Sequence, residues 1–178
     1  MNHAIRTGVI GVGNIGQHHA RIYASLPGSH LVGIADIHPG RAQEIADRYQ
    51  VPAYADYRTL LDQVQAVTVA APTTLHHEIG LACLERGVHL LMEKPLAASV
   101  EQGHQLAALA AQTGLVLQVG HVERFNPTFV ELANVLSDLR ILAIEARRLS
   151  PFATRAADVS VVYDLMVHDL DLILNLIP

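Results

Sequence analysis

Lysine is almost missing from this chain: eleven arginines carry the side-chain positive charge, and Lys94 stands alone. An ammonium can lose its proton when desolvated and a guanidinium effectively cannot, so the exception suggests a task that needs an amine. Cysteine occurs once, as Cys83, which excludes an internal disulfide. Its neighbours Ile79, Leu81, Ala82 and Leu84 make it a small core residue of a helix rather than a nucleophile. Tryptophan is absent and aromatics reach only 4%, which disfavours stacking platforms for single strands. The net charge is -5 with no run of lysine and arginine, so the footprint of a nucleic-acid binder is missing. No stretch approaches the ~20 apolar residues of a membrane span, and no apolar run precedes the first strand. A cytoplasmic protein with neither nucleic acid nor membrane as partner is expected.

What remains is rich in apolar residues, 51% of 178, enough for one domain plus part of a second. Short β-rich runs alternate with helical patterns, the signature of parallel βαβ units. Strands are expected near 5–11, 31–35, 66–70, 88–92 and 115–119, with a short one near 52–54. Helices are expected over about 14–26, 39–49, 56–63, 74–86 and 99–113, with Gly87 and Gly114 as C-terminal caps. The strands are near-continuous Val, Ile, Leu and Ala, as in a doubly wound parallel sheet covered by helices on both faces. After Gly120 the pattern breaks. A helix near 127–138, a strand over 140–149 and a last helix over 158–177 do not complete a domain. Residues 1–120 therefore read as one α/β domain and 121–178 as the incomplete start of another, in a truncated chain.

Gly11, Gly13 and Gly16 have GxGxxG spacing between an apolar strand and a helix. Such glycines allow a tight turn, close approach of backbone to pyrophosphate and helix–strand packing, while the helix N-terminus faces the phosphates. Asn14 and Ile15 belong to the same turn. Asp36 ends the second strand 20 residues beyond Gly16, where a carboxylate can accept both ribose hydroxyls. It would repel a 2′-phosphate, so NAD is expected over NADP, although Arg41 could reach such a phosphate. The plain alternative is a tight turn with a helix-capping aspartate.

Glu93-Lys94-Pro95 places the amine at the carboxyl end of a strand, where doubly wound sheets bind ligands. There it can support deprotonation of a substrate hydroxyl; a surface-loop lysine is the alternative. In the last helix Asp164, His168, Asp171 and Asn175 fall within roughly a 60° arc, with apolar residues around most of the remainder. His168 suits a general base and Asp164, one turn earlier, can orient it. A narrow solvent face is the alternative, and no further ligand cluster supports a metal at these residues. In Ala71-Pro72-Thr73-Thr74-Leu75-His76-His77-Glu78, the loop after the 66–70 strand should face the cofactor. Ala71, Thr73 as helix cap, His76 and, from the next strand, Glu93 are candidate cofactor contacts. His18, His19 and His104 read as partly exposed bystanders.

Taken together, the glycine turn with Asp36, the 71–78 loop, Glu93-Lys94-Pro95 and the Asp164/His168/Asp171 helix resemble the Gfo/Idh/MocA (glucose–fructose oxidoreductase / inositol dehydrogenase) family through nearly all 178 residues. The segment from Gly120 to Pro127 is similar to the subgroup acting on nucleotide-linked amino sugars, UDP-N-acetylglucosamine 3-dehydrogenases among them. The resemblance implies a Rossmann domain followed by an α/β substrate domain, and hydride exchange between a sugar or polyol carbon and a nicotinamide. It also implies Lys94 stabilising an alkoxide, His168 taking the hydroxyl proton, and a homo-oligomer. Members of that family are commonly about twice as long, so weak turnover by this chain is expected. An NAD-binding regulatory module without chemistry is the competing reading, and a methyltransferase a distant third.

Overall fold

A computed structural model describes residues 4–136, 139–149 and 160–177. Contacts divide the chain into two compact units, Met1–Gly120 and His121–Pro178.

The first unit is a six-stranded, all-parallel sheet: β1 (Ile5–Ile10), β2 (Ser29–Ala35), β3 (Ala53–Tyr54), β4 (Ala66–Val69), β5 (His89–Met92) and β6 (Leu117–Val119). Helices α1 (Gly16–Ser25), α2 (Pro39–Tyr49), α3 (Tyr57–Leu61), α4 (Thr73–Glu85) and α5 (Val100–Thr113) connect them. The strand order is β3-β2-β1-β4-β5-β6, which reverses direction between β1 and β4 and so opens a crevice at the carboxyl ends of those strands. This is the doubly wound α/β architecture that the apolar runs imply.

Period-two alternation divides the core. Val9 and Ile34 pack with Ala20, Ile45 and Ala46 of α1 and α2, while Ile10 and Ala35 join Leu60, Ile79, Leu84 and Leu106 of the other helices. Val67 and Val69 belong to the second cluster; Thr68 between them is fully buried, and its hydroxyl donates to the Tyr23 hydroxyl of α1 at 2.9 Å. Cys83 lies in that second cluster, and burial pushes its thiol up to about 12, so it is inert at neutral pH. Ser99 caps α5 by accepting the Gln102 N–H, and α5 ends at Gly114 in the left-handed region.

The second unit holds a 3₁₀ turn (Val122–Phe125), α6 (Pro127–Leu136), a π-type stretch (Val162–Met166) and α7 (Val167–Leu176). Two expectations are corrected here. Residues 140–149 form no strand: no other segment of the described residues pairs with them, and unpaired backbone cannot make a ladder. The last helix is not regular over 158–177 either. It opens as a π-type stretch, and positions 158–159 fall outside the described residues.

Candidate cofactor site and catalytic side chains

A cavity of about 450 Å³ opens at the reversal point, lined among others by Ile10, Gly11 and Gly13 from the end of β1, Asp36 after β2, and Ala71 and Pro72 after β4. The glycine turn is shaped by contacts that exclude side chains. Gly11 has φ +82°, and a Cβ there would stand 2.8 Å from the Ala70 backbone. A Cβ on Gly16 would lie 1.8 Å from the Gly11 carbonyl oxygen, so α1 can approach β1 only through a glycine. At Gly13, which lines the cavity, a Cβ would meet nothing nearer than Arg41 Nη1, at 3.6 Å. Helix α1 starts after Ile15 with no side-chain cap and no acid in its first turn, leaving the positive end of its dipole uncompensated by side chains. The turn therefore fits an anionic pyrophosphate.

Asp36 is buried and held from two sides: Oδ2 accepts the Val12 N–H at 2.8 Å and Oδ1 the His38 N–H at 2.8 Å. Arg41 Nη1 stands 3.7 Å from Oδ2, on a half-exposed side chain. Asn14 and Ile15 are exposed on the turn and do not line the cavity.

Lys94 follows β5, half-buried, with a cis bond to Pro95. Glu93 before it is tied to α1: its Oε1 meets His19 Nε2 at 2.8 Å, and its Oε2 accepts the Lys94 N–H at 3.3 Å. Burial pushes the Glu93 carboxyl up, but the hydrogen bond and charge of His19, with the Lys94 N–H and ammonium, bring it below the ordinary value. Gly120 makes room for this carboxylate, since a Cβ there would come within 2.9 Å of Oε1. His19, read above as a bystander, is thus part of the Lys94 surroundings. Its spacing three residues after Gly16 carried no signal of that partner.

Two other expectations change. Thr73 does not cap α4: the helix begins at Thr73 itself and Pro72 occupies the cap position. His76 is fully buried and absent from the cavity wall; Nδ1 lies 2.8 Å from the Pro95 carbonyl oxygen and Nε2 2.9 Å from that of Ala71. His76, the fourth residue of α4, is among that helix's buried residues.

In the second unit Asp164 lies in the π-type stretch and His168 in the first turn of α7, both half-buried. The four-residue polar stripe is not uniform. Asp171 is buried and forms a two-pronged pair with Arg124, with His121 Nε2 at 3.6 Å, while Asn175 is exposed. The Arg124 hydrogen bonds hold the Asp171 carboxyl below its ordinary range; burial opposes them and the nearby His121 charge adds to them. Arg148 pairs with Asp169 at 2.8 Å. Among the described residues no group of three His, Cys, Asp or Glu side chains could hold a metal, and no helix is long and apolar enough to cross a membrane.

A reversing parallel sheet, a glycine turn with no room for a Cβ at Gly11 or Gly16, and a carboxylate fixed at the end of β2 define a dinucleotide-binding α/β protein. Residues 5–121 match the family model described as an oxidoreductase family with an NAD-binding Rossmann fold. The chain belongs to the Gfo/Idh/MocA oxidoreductase family. It is 40% identical over 173 residues to a UDP-N-acetylglucosamine 3-dehydrogenase of Acidithiobacillus ferrooxidans, covering 97% of this chain and 54% of that protein. A crystal structure described as that organism's UDP-N-acetylglucosamine 3-dehydrogenase superposes with a TM-score of 0.91 at 39% identity, over 97% of this chain and 56% of the other. A Bacillus subtilis scyllo-inositol 2-dehydrogenase (NAD(+)) is 32% identical over 135 residues, 74% of this chain and 40% of the relative. The chain spans about half the length of these relatives.

Proposed function

We propose that this chain carries the cofactor-binding portion of an NAD-dependent oxidoreductase acting on a hydroxyl carbon of a sugar or nucleotide-linked sugar. The observation that carries the reading is Asp36, whose carboxylate is held by two backbone N–H groups and which lines the cavity together with Gly11 and Gly13. A carboxylate so held accepts the hydroxyls of an unphosphorylated ribose and repels a 2′-phosphate, and Arg41 is drawn toward it rather than away. NAD is therefore preferred to NADP.

When bound, the nicotinamide supplies the hydride acceptor. Lys94 stabilises the developing alkoxide, His168 takes the hydroxyl proton and Asp164 orients His168. The place of Lys94 after β5, beside a half-buried Glu93 whose carboxyl is held below its ordinary value, supports its part. Nucleotide-linked amino sugars are the favoured substrate class, supported by the 40% identical relative and by the segment from Gly120 to Pro127. Arg124 of that segment pairs with Asp171, and Arg147 and Arg148 pair with Glu145 and Asp169. Homo-oligomeric assembly and a cytoplasmic setting belong to the same proposal.

Titrating the chain with NADH and NADPH by nicotinamide fluorescence tests the cofactor reading; equal or tighter NADPH binding would refute the preference. In a chain extended to the relatives' full length, Lys94→Ala and His168→Ala should each abolish turnover with UDP-N-acetylglucosamine while sparing NADH affinity; turnover that survives both would refute the roles given to these two residues.

A further inference from the structure

Both neighbours of Lys94 are anchored by histidines from helices. Glu93 is held by His19 of α1, and the carbonyl of Pro95 by His76 of α4. His76 does more than close this bracket, because its second ring nitrogen reaches the carbonyl of Ala71, a residue of the cavity wall. The ring is only 1% exposed, so water does not compete for either contact. Both partners are pure acceptors. A neutral imidazole carries one N–H and makes one of these bonds at a time, whereas a ring protonated on both nitrogens makes both. Nothing about filling a hydrophobic core calls for such a side chain, and a buried polar ring left unpaired would be costly.

We infer that His76 is a positioning residue that couples the loop carrying Lys94 to the loop lining the cofactor cavity. Its Nδ1 meets the Pro95 side of the lysine and its Nε2 meets Ala71 of the cavity wall, and the single N–H of the neutral ring can serve either carbonyl. The inference rests on the roles given above to Lys94 and to the cavity.

Asparagine places an amide near the position of Nδ1 and glutamine near that of Nε2, so His76→Asn and His76→Gln separate the two ties. Lys94 offers a direct probe: it is the only lysine, so reductive methylation with ¹³C-formaldehyde labels it and the chain's terminal amine alone. His76→Gln should keep NADH affinity within about twofold and move the dimethyl-Lys94 resonance, whereas His76→Asn should keep that resonance and weaken NADH by about two- to tenfold, the worth of one neutral hydrogen bond. Wild-type affinity and an unmoved resonance in both variants would overturn the inference. So would parallel loss of both properties with an equal fall in melting temperature, which is what a mere packing residue produces. If the unsubstituted chain fails to bind NADH, the cofactor reading falls, and the Lys94 resonance in the two variants still decides whether the Pro95 tie positions the amine.

Discussion

At the scale of single residues, charge placement decides what each group does. Asp36→Ala removes a carboxylate whose hydrogen bonds to cofactor hydroxyls would be charge-assisted, and it frees Arg41. NADH affinity should fall by about ten- to a hundredfold while NADPH affinity falls less or rises, a change measured by paired fluorescence titrations. Asp171 gives a pH test. Its folded value is depressed, chiefly by Arg124, so its stabilisation is present above the ordinary carboxylate value and is lost as the pH falls through the depressed one. Acid unfolding of the second unit, followed by helical signal, should begin below the ordinary aspartate range, and Asp171→Asn should remove that component while lowering stability near neutrality. Arg124→Ala leaves a buried carboxylate without its two-pronged partner and should cost roughly 1–3 kcal/mol in denaturant unfolding.

At the scale of elements, close packing of helix on strand and helix on helix is what holds the site open. Gly16→Ala drives a Cβ into the Gly11 carbonyl, so α1 must move off β1. NADH binding should be lost with a fall in melting temperature of several degrees, which calorimetry would register. The elements legible in the chain were those with a local cause. The parallel strands are apolar runs because both faces are covered, and α2 runs over 39–49 because Pro39 starts it and the chain turns left-handed at Gln50. The run over 140–149 looked equally strand-like, but a strand exists only through its partner, and the pattern of one segment cannot say whether a partner is there. The π-type stretch at 162–166 is likewise invisible in a 3.6-residue periodicity. Of the site, the glycines, Asp36 and Lys94 announced themselves by spacing and by rarity. The His19–Glu93 and Arg124–Asp171 pairs join residues 74 and 47 positions apart, and nothing local in either partner names the other.

For the whole molecule, the two units give a thermodynamic expectation. Ligand that binds only the folded form of the first unit stabilises that unit by mass action, by about 2.7 kcal/mol at a hundredfold excess over Kd. Calorimetric scans with rising NADH should therefore move the transition of unit Met1–Gly120 upward and leave any separate transition of the second unit in place. A uniform shift of both would show that they unfold as one cooperative body.

The order in which the sheet is laid down has a consequence during synthesis. β1 is made first, yet its inner neighbour β4 lies 59 positions later, from Thr7 to Ala66. Every wall of the nucleotide pocket lies between Ile10 and Ile79, so the pocket is complete in covalent terms before β5 and the lysine beyond it have emerged from the ribosome. A nascent chain arrested with about a hundred residues outside the exit tunnel would already hold every residue of the cavity wall while lacking β6.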